Sequence, residues 1–138
     1  MVSISVCIIG KNEEENIEKC LEPLTHYPFE IIYVDTGSTD RTKELAAKYT
    51  DKIYDFTWIG DFSAARNFSL EKASHNYVLV LDCDEHLTAL DLDGLCEAIE
   101  TAWDKFCGRV SLTPITARSI HWNWLTGSFT NALFTISI

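Results

Sequence analysis

The sequence predicts an α/β fold in which a mostly parallel β-sheet is flanked by helices. Short apolar runs of strand type alternate over the first 100 residues with segments whose apolar residues lie three and four positions apart, as on one face of a helix. Strands covered on both faces by such helices are typical of parallel sheets. Acidic and turn-forming residues directly follow several of these runs. In a parallel sheet such positions meet at one edge, where ligands bind.

Each predicted element has a local signal. The strands are predicted at 2–9, 30–34, 52–56 and 77–81, where apolar residues run together. Asn12 is predicted to be the N-cap of the first helix, because three glutamates follow it and negative charge suits a first helical turn. Pro23 and Pro28 end that helix. Further helices are predicted at 41–48 and at 92–103, and residues 60–67 are predicted to lead into another helix that ends at about residue 74. Two late strands are predicted at 110–112 and 132–138.

Composition narrows the class of protein. The 138 residues suffice for one domain with a substantial core, since 46% of them are hydrophobic. A formal net charge of -10 disfavours binding to nucleic acid or to an anionic membrane surface. No run reaches the length of a membrane span, and we expect no signal peptide because the N-terminus has no basic region. The five cysteines lie at no metal-ligand spacing, which predicts a reducing, cytosolic compartment.

The acidic segment after the fourth predicted strand carries the strongest functional signal. Asp82, Asp84 and Glu85 follow the apolar run 77–81. Carboxylates that converge at one strand end repel each other unless a cation lies between them, and their hard oxygen ligands suit Mg²⁺ or Mn²⁺. Such ions usually hold phosphates. A solvated acidic turn is the alternative that this segment alone leaves open.

Other candidate residues have two interpretations each. Asp35 ends a strand and is predicted to accept a hydrogen bond from a ribose hydroxyl or a base, with an Asx turn as the alternative. Asp40 is expected to brace its loop or cap a helix. Arg66 is predicted either to bind a nucleotide or to hold the Asp35 loop. His86 is a metal ligand, a proton acceptor or an exposed histidine, whereas Cys83, between carboxylates, is expected to stay protonated and unreactive.

Four segments match one known family. They are SVCIIGKNEE at 5–14, IYVDTGSTD at 32–40, FSAARN at 62–67 and VLDCDE at 80–85. In this order and spacing they resemble the family 2 glycosyltransferases of GT-A fold, and among these the bacterial lipopolysaccharide-core-type sugar transferases. The resemblance covers about residues 3–100.

The resemblance implies an inverting transferase that binds a nucleotide-diphosphate sugar, with a UDP-sugar favoured, together with Mg²⁺ or Mn²⁺. The acceptor is a saccharide or other glycan. The nucleotide-binding residues that it implies are Ile9, Gly10, Asn12, Glu13, Asp35, Gly37, Ser38, Arg66 and Asp82. The metal ligands that it implies are Asp82 and Asp84. The enzyme is expected in the cytoplasm, where partners could hold it at the inner face of the membrane.

The end of the chain departs from this family pattern. Family members continue well past the Asp-x-Asp strand, but no Asp or Glu follows Asp104 here, so the base that deprotonates an acceptor is not found. We therefore expect a nucleotide-sugar-binding domain at 1–106, truncated after the Asp-x-Asp strand. The apolar segment 107–138 is expected to pack on the core or in a homodimer interface.

Three other classes of protein are weighed against the transferase. A non-catalytic nucleotide-sugar-binding or assembly module is favoured by the missing base. A nucleotidyltransferase is disfavoured because no glycine-rich, basic phosphate loop follows the first strand. A receiver-type domain is disfavoured because it needs a lysine at a later strand end, and no lysine follows Lys105.

Overall fold

The computed structural model describes residues 3–75, 77–84, 87, 90–102, 120–122 and 132–136, and within them six strands form one sheet. The strands are β1 (Ile4–Gly10), β2 (Glu30–Asp35), β3 (Ile53–Asp55), β4 (Tyr77–Asp82), β5 (Ile120–Trp122) and β6 (Ala132–Ile136). The helices are α1 (Ile17–Leu21), α2 (Thr42–Ala46), α3 (Phe62–Glu71) and α4 (Leu92–Ala102). A short 3-10 helix, Glu22–His26, directly follows α1.

The sheet is mostly parallel, which confirms the predicted fold class. Its strand order is β3-β2-β1-β4-β6-β5. β1 pairs in parallel with β2 on one side and with β4 on the other, and β3 and β6 extend the parallel pairing outward. β5 pairs antiparallel with β6. The chain therefore leaves β1 toward one side of the sheet and reaches the other side only with β4.

Both faces of the sheet are covered. Alternate residues of β1 point to opposite faces. One set, Ile4, Val6 and Ile8, packs in a cluster that includes residues of α1, α2 and α4. The other set, Cys7 and Ile9, packs in a second cluster, to which α3 contributes the buried Ala65 and the partly buried Phe68 and Leu70. Helices on both faces explain why the strand sequences are almost continuously apolar.

The first helix begins later than predicted, and Asn12 is not its N-cap. α1 starts at Ile17, and Asn16 occupies the capping position without a side-chain hydrogen bond. Asn12 has a φ of 54°, in the left-handed region that Asn tolerates better than most residues. Its side chain binds a neighbouring loop instead, so the residues between β1 and α1 form part of the sheet edge.

The C-terminal residues are described only in part. The strand predicted at 132–138 is present as β6, which pairs with β4 and lengthens the sheet. β5 was not predicted from the sequence. The strand predicted at 110–112 lies outside the described residues. The boundary between 1–106 and 107–138, and the homodimer alternative, remain predictions.

A buried carboxylate ties three segments together at the amino ends of the strands. Glu30, whose side chain is 6% exposed, accepts hydrogen bonds from Ser5 Oγ and Lys52 Nζ. It also accepts bonds from Ser74 N at 3.0 Å and Ser74 Oγ at 2.6 Å. Burial acts to raise the pKa of Glu30, but these bonds outweigh it and lower the pKa to about 2.

Replacing this carboxylate should therefore destabilise the fold in a pH-dependent way. Because the folded pKa of Glu30 lies below its ordinary value of 4.5, its contribution is complete above pH 4.5 and is lost as the pH falls toward about 2. We expect Glu30→Gln to lower the free energy of unfolding at pH 7 by about 2 kcal/mol. Urea unfolding from pH 2 to 7 should show that the difference between the two proteins shrinks below pH 4.5.

The matched control is Glu44→Gln, which removes a carboxylate from an exposed pair with Arg41. Exposed ion pairs contribute little, so its effect should stay within about 0.5 kcal/mol at every pH. An equal loss in both variants would show that the Glu30 contacts do not stabilise the fold.

Candidate functional site at the carboxyl edge of the sheet

Parallel pairing brings the predicted site segments to one edge of the sheet. Gly10 is the register partner of Asp35, and Ile9 is the partner of Asp82. Because β1 lies between β2 and β4, this edge contains the point where the strand order reverses. Ligands of open α/β sheets bind at such points, outside the carboxyl ends of the strands. The structure thus brings together the ends of β1, β2 and β4, as the sequence predicted.

The loops after β1 and β2 are bound to each other by side-chain-to-backbone hydrogen bonds. Ser38 Oγ accepts a bond from Asn12 N at 2.9 Å, and Asn12 Oδ1 accepts one from Thr39 N at 2.8 Å. Thr36 N donates to Gly10 O at 3.0 Å. We call residues 10–14 and 35–42 the paired loops. Their mutual bonds hold Asn12 and Ser38 in fixed positions at the edge.

Further bonds fix the distal part of the paired loops. Glu13 N donates to Thr42 Oγ1 at 2.8 Å, and Glu14 N donates to Asp40 Oδ2 at 3.3 Å. Although desolvation acts to raise the pKa of Asp40, its bonds from Thr42 and from Glu14 N lower it overall. Asp40 therefore braces the loop, which is one of the two roles predicted for it.

Asp35 is buried and its carboxylate is fully engaged within the protein. Oδ2 accepts bonds from Gly37 N at 3.1 Å and Ser38 N at 2.8 Å. Oδ1 accepts bonds from Ser38 Oγ at 2.5 Å and from the Tyr33 hydroxyl at 3.2 Å. Gly37 supplies the φ of 103° that this turn requires. The geometry corresponds to the predicted alternative, an Asx turn, and it leaves Asp35 to shape the loop.

Arg66 makes an ion pair that the sequence did not indicate. Its guanidinium binds Asp82 Oδ1, which connects α3 to the end of β4. The side chains remain 31% and 49% exposed, respectively, so the pair lies at the surface of the site. Arg66 thus places a positive charge beside the strand end, although it does not bond the Asp35 loop.

The described part of the acidic segment contains two carboxylates, Asp82 and Asp84. Asp82 directs one oxygen to Arg66, while Asp84 is exposed. Within the described residues, no group of three or more acidic, histidine or cysteine side chains could hold a metal ion. Glu85 and His86 lie outside them. Two carboxylates fit a Mg²⁺-type site, because this ion commonly binds one or two carboxylates together with phosphates and water.

Beneath this edge, Cys83 and Tyr33 pack against Gly10. A Cβ at Gly10 would lie 2.5 Å from Cys83 Sγ and 3.1 Å from the Tyr33 hydroxyl. Cys83 Sγ also contacts Ile9 O at 3.4 Å. Burial raises the pKa of the Cys83 thiol well above its ordinary value, and neighbouring acidic groups reinforce the shift. Cys83 therefore stays a neutral packing group, in agreement with the prediction.

Tyr33 and Thr42 are site-supporting residues that sequence reasoning missed. Burial, Cys83 and Asp35 raise the pKa of Tyr33, so its hydroxyl stays protonated and can donate to Asp35. Tyr33 lies in a run of strand-forming residues and Thr42 at a helix start, where neither differs from an ordinary structural residue. Their roles depend on which strands pair, so no local signal distinguishes them.

Fold and edge together define a mostly parallel α/β domain whose candidate site lies at its topological switch point. A model of the family described as "Glycosyl transferase family 2" matches residues 5–136. The chain belongs to this family. The resemblance in the four segments is thereby confirmed, and the match continues past residue 100, where that resemblance ended.

Several curated proteins are similar to parts of the chain. A TPR repeat-containing protein of Synechococcus elongatus is 40% identical over 63% of this chain and 22% of its own length. Glycosyltransferase AglE of Haloferax volcanii is 36% identical over 80% of the chain and 40% of its own length. Lipopolysaccharide core biosynthesis glycosyltransferase LpsC of Rhizobium meliloti is 36% identical over 80% of the chain and 42% of its own length. The chain thus spans less than half the length of these relatives.

Solved structures of S. aureus TarS share the fold. TarS 1-349 has a TM-score of 0.64 and 28% sequence identity, with 72% of this chain and 32% of that chain covered. TarS 1-349 in complex with UDP has a TM-score of 0.60 and 26% identity over the same shares. In the part of our chain that the structure describes, no helix is long and apolar enough to cross a membrane.

The packing of Gly10 against Cys83 can be tested by compensating substitutions. We expect Gly10→Ala to lower the free energy of unfolding by about 1–3 kcal/mol, since the added Cβ would overlap the sulfur. Cys83→Ala removes that sulfur and should restore part of the loss. The double variant should therefore differ from additivity by roughly 1 kcal/mol or more in urea unfolding.

Gly94→Ala is the control, because its added Cβ would meet the side chain of Asp91 instead. That variant and Cys83→Ala should have additive effects. Additivity of Gly10→Ala with Cys83→Ala would mean that the two residues do not constrain each other.

Proposed function

We propose that this chain is the donor-binding part of an inverting glycosyltransferase that uses a nucleotide-diphosphate sugar. The observation that carries the proposal is the joining of the paired loops to the acidic end of β4 at one switch point. The likeness to TarS, which was solved in complex with UDP, supports a uridine nucleotide.

The proposed roles follow the geometry of the edge. The nucleotide lies against Ile9, Gly10, Asn12 and Glu13 on one loop and Gly37 and Ser38 on the other. Asp35 shapes that second loop through its four internal bonds. Arg66 contributes a positive charge next to Asp82, which suits a site for an anionic ligand.

Asp84 and Asp82 would hold Mg²⁺ or Mn²⁺. A divalent cation bound there would neutralise the diphosphate leaving group. In inverting transfer the acceptor hydroxyl attacks the anomeric carbon as the bond to the diphosphate breaks, and a base takes the hydroxyl proton. No residue of this chain is assigned as that base, because no Asp or Glu follows Asp104.

We also propose that the protein acts in the cytoplasm. Within the described residues, Cys7, Cys83 and Cys96 are buried thiols that form no disulfide. Thiols in this state are typical of a reducing compartment. A non-catalytic nucleotide-sugar-binding module is the second candidate, and the missing base favours it.

Donor binding is tested by calorimetry with UDP and other nucleoside diphosphates, with and without Mn²⁺. If Asp84 holds the cation, Asp84→Asn should lower the metal-dependent affinity by roughly tenfold, or about 1.4 kcal/mol. The matched control is Asp51→Asn, which removes an exposed carboxylate just before the amino end of β3, at the opposite edge of the sheet, and should leave the affinity unchanged. Equal binding of UDP by the unaltered chain in EDTA would contradict a metal role.

Turnover separates the two candidates. Because transfer needs a base that this sequence does not provide, we expect the 138-residue chain to hydrolyse a UDP-sugar slowly and to transfer it inefficiently. Release of UDP is measured with and without a saccharide acceptor. A rate on the order of 1 s⁻¹ or faster, which is ordinary for an enzyme, would show that a base is present after all.

A further inference from the structure

A row of aromatic side chains lines one side of α3. Tyr54 lies in β3, and Phe56 and Trp58 follow it at alternate positions. In extended backbone, side chains at alternate positions point the same way. Each faces a side chain of the α3 segment. Lys72 lies 5.2 Å from the Tyr54 ring, and the Phe56 and Phe68 rings are 5.3 Å apart.

The row ends in an exposed pair. Tyr54, Phe56 and Phe68 are partly buried and pack against the core. Trp58 and Phe62 form an edge-to-face contact with ring centroids 4.8 Å apart, but they are 36% and 69% exposed. Ile59 between them is 67% exposed. Core packing thus explains the first part of the row and not its last two rings, and contiguous exposed apolar surface commonly marks a binding site.

This exposed pair lies beside the candidate site. Phe62 and Arg66 are four residues apart in α3, so they are neighbours on one face of the helix. Arg66 is bound to Asp82 at the end of β4. Trp58 and Phe62 therefore extend the carboxyl edge of the sheet beyond the paired loops that we assign to the nucleotide.

The charges around the pair favour a neutral ligand. The Asp61 carboxylate is occupied by capping bonds to Ser63 N at 2.8 Å and Ala64 N at 3.3 Å. The Asp55 carboxylate pairs with Lys43 at 2.6 Å. The net charge of -10 weighs against an anionic membrane surface. A sugar ring fits these conditions, because its C–H face packs on an aromatic ring while its hydroxyl groups remain in water.

We propose that Trp58 and Phe62 form a stacking platform for an uncharged sugar ring of the glycosyl acceptor. The proposal rests on the proposed function, since a glycosyltransferase needs a second saccharide site next to its donor site. The flat indole and phenyl faces hold the ring at the edge of the nucleotide site, and Ile59 offers no comparable face. Neither residue is among those that we propose to bind the donor.

The test uses the full chain with UDP and Mn²⁺ bound. Methyl β-glycosides of glucose, galactose and N-acetylglucosamine are titrated as probes by saturation-transfer NMR. We expect at least one to bind with millimolar affinity. Trp58→Ala and Phe62→Ala should each weaken that binding at least fivefold. Trp58→Phe, which retains an aromatic face, and the control Ile59→Ala should each change it less than twofold.

UDP affinity is measured on the same variants by calorimetry and should stay within twofold. Binding of UDP without binding of any glycoside overturns the platform and leaves the proposed function standing. Loss of UDP binding by the unaltered chain overturns the proposed function itself. Two further outcomes would identify a general apolar docking surface instead of a sugar platform. One is that Ile59→Ala weakens glycoside binding as much as Trp58→Ala does. The other is binding to phosphatidylcholine vesicles that depends on Trp58.

Discussion

Parallel pairing of β1 with both β2 and β4 is the constraint on which the site depends. It sets Gly10 opposite Asp35 and Ile9 opposite Asp82, so three loops leave the sheet at the same level. The strands are buried on both faces, and a shift of one residue would turn each side chain to the wrong face. Core packing therefore fixes the relative positions of loops that are distant in sequence.

Two sets of contacts fix the carboxyl edge of the sheet. Side-chain-to-backbone hydrogen bonds such as those of Asn12 and Ser38 join the paired loops. At the end of β1, Cys83 and Tyr33 fill the space that a side chain at Gly10 would occupy. These contacts are made within the protein and restrain both loops. Loops restrained in this way lose less conformational entropy when a flexible ligand binds.

The acidic residues at the edge divide into two groups. Asp35 accepts hydrogen bonds from its own loop and Asp40 braces a loop. Asp84 is exposed, and the half-exposed Asp82 pairs with Arg66. In a chain of net charge -10, the internal hydrogen bonds and this one arginine limit repulsion between the carboxylates at the strand ends. The same residue type thus has structural and exposed positions within one candidate site.

The sequence by itself determined the α/β class, the family and the segments that meet at the sheet edge, because apolar periodicity and strand-end motifs are local signals. It did not determine that Asn12 binds the loop after β2 instead of capping α1. Nor did it determine that Asp35 accepts hydrogen bonds within its own loop, or that Arg66 pairs with Asp82. Those outcomes depend on contacts between residues about 16 to 27 positions apart or on burial. Only the tertiary structure decides them, since strand pairing must first bring the partners together.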